Sequence, residues 1–137
     1  MDITRLIAPL NEPQRLAVTA PLQALLVLAG AGSGKTRVLV HRIAWLIQTQ
    51  GLSPGSILAV TFTNKAAQEM RSRIEQLLPV NTRAMWIGTF HGIAHRLLRQ
   101  HAESAGLPPS FQVMDSDDQL RIVKRLLKNL NLDDKKW

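Results

Sequence analysis

The segment Ala29-Gly30-Ala31-Gly32-Ser33-Gly34-Lys35-Thr36 constrains this chain more than any other feature of its sequence. Its glycines open backbone conformations that residues with a Cβ rarely adopt. A short apolar run, Ala24-Leu25-Leu26-Val27-Leu28-Ala29, comes before it, and a helical pattern from about Lys35 to Gln48 comes after it. The run does not alternate, which suits a strand buried on both faces of a parallel sheet. Strand, glycine-rich turn and helix, with Lys-Thr at the helix start, is the setting of a phosphate-binding P-loop of the Walker A type, in which Ala29 stands at the first glycine position. Such a loop points N–H groups inward at a phosphate, and the helix that follows aims its partly positive N-terminus at the same place. Lys35 would reach the β- and γ-phosphates, and the Thr36 hydroxyl would ligate Mg²⁺. The glycine spacing of a dinucleotide-binding turn fails here and would leave the Lys-Thr pair unexplained.

The flanking sequence predicts an α/β fold. Asn11-Glu12-Pro13-Gln14 marks a helix start, with Asn11 as cap and Gln14 completing a capping box, and Pro21 ends that helix after about Ala20. Ile57-Leu58-Ala59-Val60-Thr61-Phe62 reads as a second apolar strand. It leads into a helix with Ala67, Met70, Ile74, Leu77 and Leu78 on one stripe. Met85-Trp86-Ile87-Gly88 reads as a short third strand. Strand and helix in alternation imply a parallel sheet with crossover helices. After His91 the pattern turns helical, with Ile93, Leu97 and Leu98 in one helix and a break at Gly106-Leu107-Pro108-Pro109. Ser116 is expected to cap a last helix with Gln119 three residues on, and Leu120, Val123, Leu127 and Leu130 form its apolar stripe. A boundary near residue 92 separates the two characters.

Composition narrows the function classes. The formal charge is +7, and residues 1–92 hold nine Lys/Arg against four Asp/Glu. A basic excess favours polyanionic partners, nucleic acid among them. With no cysteine, a disulfide framework and a thiolate metal site are excluded, and a reducing, cytoplasmic setting is expected. No apolar stretch is long enough to span a membrane, and Met1 to Leu10 lack the apolar run of a signal peptide.

Four segments together resemble the superfamily 1 DNA helicases of the UvrD/Rep/PcrA family. Residues 29–37 are similar to motif I, Leu10-Asn11-Glu12-Pro13-Gln14 to the Q motif, and Val60 to Met70 to motif Ia, while Gly88-Thr89-Phe90-His91-Gly92 is similar to the next DNA-contacting motif. They occur in the family's order, and the resemblance covers the whole chain. It implies a RecA-like partial parallel sheet flanked by helices over residues 1–92, followed at 93–137 by the helical start of an inserted accessory subdomain. It also implies that Ala29, Gly30, Ala31, Gly32, Ser33, Gly34, Lys35 and Thr36 hold the phosphates of ATP and its Mg²⁺. Gln14 would hydrogen-bond the adenine, with helix capping as its other reading, and Arg37 would lie against the base. Thr61, Phe62 and Asn64 would contact single-stranded DNA, and Thr89 and His91 its backbone. By pattern alone Phe62 is more often a core residue and Asn64 an ordinary helix cap.

The resemblance further implies 3′-to-5′ travel, action on single-stranded DNA and single/double-strand junctions, and work with DNA repair proteins. The acidic pair that hydrolysis requires is missing, since no Asp-Glu dipeptide occurs in the sequence. Phosphate cradling without turnover is therefore expected of these residues alone. Two other readings compete. The chain could be the helicase portion of a recombination nuclease, which a nuclease domain would reveal. It could instead be a stand-alone nucleotide-binding module, which needs a fuller sheet than three strands.

Overall fold

The computed structural model describes residues 3–132. Helix α1, Thr4–Ile7, is followed by α2, Glu12–Thr19, and α3, Lys35–Gln50. Strand β1, Leu58–Thr61, leads to α4, Asn64–Leu77, then to β2, Trp86–Thr89, and α5, Phe90–Gln100. Helix α6 is Ser116–Asn129. The chain divides into two compact units, Met1–Leu97 and Leu98–Trp137. The change of character expected near residue 92 falls inside α5, which runs through Gly92 unbroken.

In the first unit β1 and β2 pair in parallel, with Ala59 opposite Ile87 and Thr61 opposite Thr89. Parallel neighbours need a crossover, and α4 supplies it. Ala59 and Ile87 face inward and join Ile57, Met85, Ala67, Met70 and Ile74 in one buried cluster with Val40 and Ile43 of α3. Of the stripe read from the sequence, Ala67, Met70 and Ile74 are buried on α4, Leu77 is half-buried, and Leu78 is the C-cap of the helix, buried in another cluster. The opposite face of the sheet is partly covered by α5, whose Ile93 packs at Gly88, while Leu58 is left 59% exposed. A second cluster of Leu10, Val18 and Val38 fastens α2 against α3. The buried His41 ring bonds through Nδ1 to the Leu6 carbonyl at 2.7 Å, tying α1 to α3.

Two expectations are corrected. The run Ala24–Ala29 forms no strand: it lacks a ladder partner among the described residues, and Leu26 and Leu28 are 81% and 86% exposed. A strand buried on both faces is a property of its neighbours as much as of its own residues, and the described sheet has only two members. The cap of α6 is Asp115 rather than Ser116, with the Asp115 carboxylate accepting from the Asp118 N–H at 2.8 Å. The stripe of α6 is amphipathic as expected, but no residue of that helix is buried.

Candidate functional site

The turn between the exposed apolar run and α3 is built by left-handed glycines. Gly32 has φ 73° and Gly34 φ 84°, and Gly34 occupies the N-cap position of α3, where no side chain caps the helix. Uncapped N–H groups at a helix start are what an anion can use. Within the turn, the Ser33 hydroxyl donates to the Gly30 carbonyl at 2.7 Å. The Lys35 ammonium folds back and donates to the carbonyls of Ala29, at 3.0 Å, and Gly30, at 2.7 Å.

An open cleft of about 520 Å³ is lined by Gln14, Gly32, Ser33, Gly34, Lys35, Thr36, Arg37 and Arg73. Its charged lining is wholly cationic, which suits a polyanion. The structure thus brings Gln14, the glycine turn, Lys35, Thr36 and Arg37 together. Arg37 is additionally tied to the Pro9 carbonyl at 3.4 Å. The capping box is present: the Gln14 N–H donates to the Asn11 side chain at 3.0 Å, and Gln14 Oε1 accepts from the Asn11 N–H at 3.2 Å. Gln14 Nε2 donates to the Ser33 carbonyl at 3.0 Å.

A second opening of about 530 Å³ lies at the carboxyl ends of the strands, lined in part by Asn64, Gln68, Arg71, Thr89, Gly92 and Arg96. Arg71 donates to the Ile87 carbonyl, and Arg96 lies 4.0 Å over the Trp86 ring. Phe62 is 87% exposed, so it does not belong to the core, and its ring centroid lies 5.3 Å from that of Phe90. Thr63, not Asn64, caps α4, accepting from the Ala66 N–H at 3.1 Å. Asn64 is therefore left exposed at the first position of the helix. Thr89 Oγ1 accepts from the Gly92 N–H at 3.1 Å, as a cap of α5 would. Thr61 is half-buried, and His91 is exposed in the first turn of α5 outside the lining of the opening.

The sequence pattern of the UvrD/REP helicase N-terminal domain matches residues 10–137. The chain belongs to the UvrD/Rep helicase family. It is 64% identical over its whole length to DNA helicase II of Escherichia coli (strain K12). It is 62% identical, over 98% of its length, to DNA helicase II of Haemophilus influenzae. Identity with the ATP-dependent DNA helicase PcrA of Bacillus subtilis is 47% over 97% of the chain. The chain spans only 18–19% of the length of these relatives.

Two residues of this UvrD/Rep family chain were passed over by sequence reasoning. Arg73 lines the glycine-turn cleft from α4, where it pairs with Glu69 at 2.5 Å. Nothing in the spacing of α4 separates it from Arg71, because the approach of α4 to the turn is a tertiary fact. Phe90 was open to detection. Each strand ends in Thr and is followed by Phe, and the parallel register of Thr61 with Thr89 sets the two rings side by side.

Proposed function

We propose that this chain is the ATP-binding N-terminal part of an ATP-dependent DNA helicase and translocase, with a P-loop in a partial RecA-like domain. The observation that carries the reading is the cationic cleft formed by Gln14, the Gly32–Thr36 turn and Arg37 at an uncapped helix start. The residues fit a nucleoside triphosphate with Mg²⁺. The turn offers backbone N–H groups, Lys35 has an ammonium now shared between two loop carbonyls, and the Thr36 hydroxyl lies on the cleft. Lys35 would exchange those carbonyls for phosphate oxygens, Thr36 would hold the metal, and Arg37 and Gln14 would meet the base. The metal would neutralise charge on the phosphates.

The strand ends supply the second half of the reading. Phe62 and Phe90 offer an exposed aromatic platform for bases. Asn64 and Thr89 at the adjoining opening, with Thr61 and His91 nearby in sequence, would contact the strand. Binding at the carboxyl ends of parallel strands agrees with the general behaviour of α/β sheets. The names of the relatives support DNA as the polymer and ATP as the fuel. Residues 93–137 are proposed to begin the accessory subdomain. Travel from 3′ to 5′, action at junctions, a part in DNA repair and a cytoplasmic location belong to the same proposal.

The test uses the full-length product of the gene. Partial duplexes with a 3′ or a 5′ single-stranded tail are offered with Mg-ATP. Unwinding from the 3′ tail, lost in Lys35→Ala, is the expected result. Unwinding from the 5′ tail alone would overturn the polarity, and no unwinding of either would overturn the helicase reading.

A further inference from the structure

We infer that Gln14 positions the phosphate loop itself, a role separate from any contact with a base; the inference rests on the phosphate-binding reading above. Its side chain is aimed by two constraints. The Leu10, Val18 and Val38 cluster fixes α2 on α3, and the Asn11 backbone N–H, donating to Oε1, fixes the amide. Oε1 accepts from the Asn11 N–H, so Nε2 is the end that faces the loop, where it donates to the Ser33 carbonyl at 3.0 Å. The flipped amide would set donor against donor at Asn11 and acceptor against acceptor at Ser33, so the orientation is determined.

This bond acts on the peptide unit between Ser33 and Gly34. In a trans peptide the C=O and the N–H point in opposite directions. Holding the Ser33 oxygen toward Gln14 therefore turns the Gly34 N–H away from it. That N–H belongs to the turn that would surround a phosphate. The fit is close: a Cβ at Gly34 would lie 2.8 Å from Gln14 Nε2, at a residue whose φ of 84° already disfavours a side chain. Gln14 and Gly34 are thus matched to each other. Gln14 Nε2 has a second hydrogen and Oε1 a second lone pair, so loop positioning leaves room for a base contact.

A ligand without a base separates the two roles. Tripolyphosphate binding to the 137-residue chain is measured by calorimetry for wild type, Gln14→Met, Gln14→Glu and Asn11→Ala, with circular dichroism as the check on folding. Gln14→Met removes the donor without adding charge. Gln14→Glu keeps the acceptor that completes the capping box while losing the donor. Asn11→Ala removes only the side-chain acceptor of the Gln14 N–H and keeps the Asn11 backbone N–H that holds Oε1, so the Gln14 amide and its bond to Ser33 stay in place. Wild type and Asn11→Ala are expected to bind alike, and Gln14→Met about three- to tenfold more weakly, the scale of one neutral hydrogen bond. Gln14→Glu is expected to bind at least as weakly as Gln14→Met. Wild-type affinity in either Gln14 variant would overturn the role in the loop. If wild type itself did not bind tripolyphosphate, the phosphate-cradle reading would fall, and this inference with it.

Discussion

The ring of Phe62 lies 5.3 Å from the ring of Phe90, tilted by 49°, and the two residues follow the register partners Thr61 and Thr89. Two apolar rings held in solvent at the strand ends are costly unless something stacks on them, and the proposed occupant is a nucleic-acid base. Loss of an aromatic platform costs about 1–3 kcal/mol per stacked base. Phe62→Ala and Phe90→Ala are each expected to weaken binding of a short single-stranded oligonucleotide in fluorescence anisotropy. The double variant should lose less than the sum of the two, because the rings touch. Affinity should also fall steeply with salt in all of them, through the phosphate contacts.

Arg73 reaches the nucleotide cleft from a different element than the glycine turn. Its guanidinium pairs with an exposed Glu69, and such a pair is worth little to stability. Arg73→Ala should therefore leave thermal unfolding nearly unchanged. It should weaken Mg-ATP binding by about tenfold or slightly more, the bottom of the range for a charged hydrogen bond. Unchanged nucleotide affinity, read by calorimetry, would leave Arg73 as a solvated helix residue.

The start of α6 distinguishes two neighbouring residues. The Asp115 carboxylate accepts the Asp118 N–H, and Ser116 is the first residue of the helix proper. Losing a cap costs about 0.5–2 kcal/mol. Asp115→Ala should lower helicity and stability in urea unfolding followed by circular dichroism, while Ser116→Ala should change them by a few tenths at most. A larger effect at Ser116 would restore the capping expected from the sequence.

What the sequence made legible was local chemistry. The Asn11–Gln14 capping box and the burial of Ala67, Met70 and Ile74 on one stripe depend on a few consecutive or helically spaced residues, and both stand as read, while the glycine turn forms ahead of α3 and its phosphate-binding role is a proposal. Misreadings arose where a neighbour decides the outcome. The run Ala24–Ala29 carries every mark of a buried strand except a partner to pair with among the described residues. Thr63 rather than Asn64, and Asp115 rather than Ser116, take their caps one residue earlier than expected, since the cap goes to the residue whose backbone is still extended. Arg73 was invisible because only the packing of α4 against α3 brings it to the glycine turn.

The chain alone is expected not to hydrolyse ATP. A cradle that binds the ground state does not by itself lower the barrier, which needs groups aimed at the transition state. The sequence has no Asp-Glu pair to activate water, and the Asp115 carboxylate is committed to its cap. A phosphate-release assay with single-stranded DNA present should give no signal above background. DNA-stimulated release that disappears in Lys35→Ala would show that a carboxylate of this chain serves as the acid.

Everything proposed for this chain stands on the glycine turn binding a triphosphate through Lys35, whose ammonium now rests on the Ala29 and Gly30 carbonyls. The most direct measurement is calorimetric titration of Mg-ATP into wild type and Lys35→Ala. Lys35 is exposed, so its removal should leave the fold intact by circular dichroism. The account predicts saturable one-to-one binding to wild type and an affinity at least about tenfold weaker in the variant, the loss of a charge-assisted contact to phosphate. Equal affinity in the two proteins would contradict it.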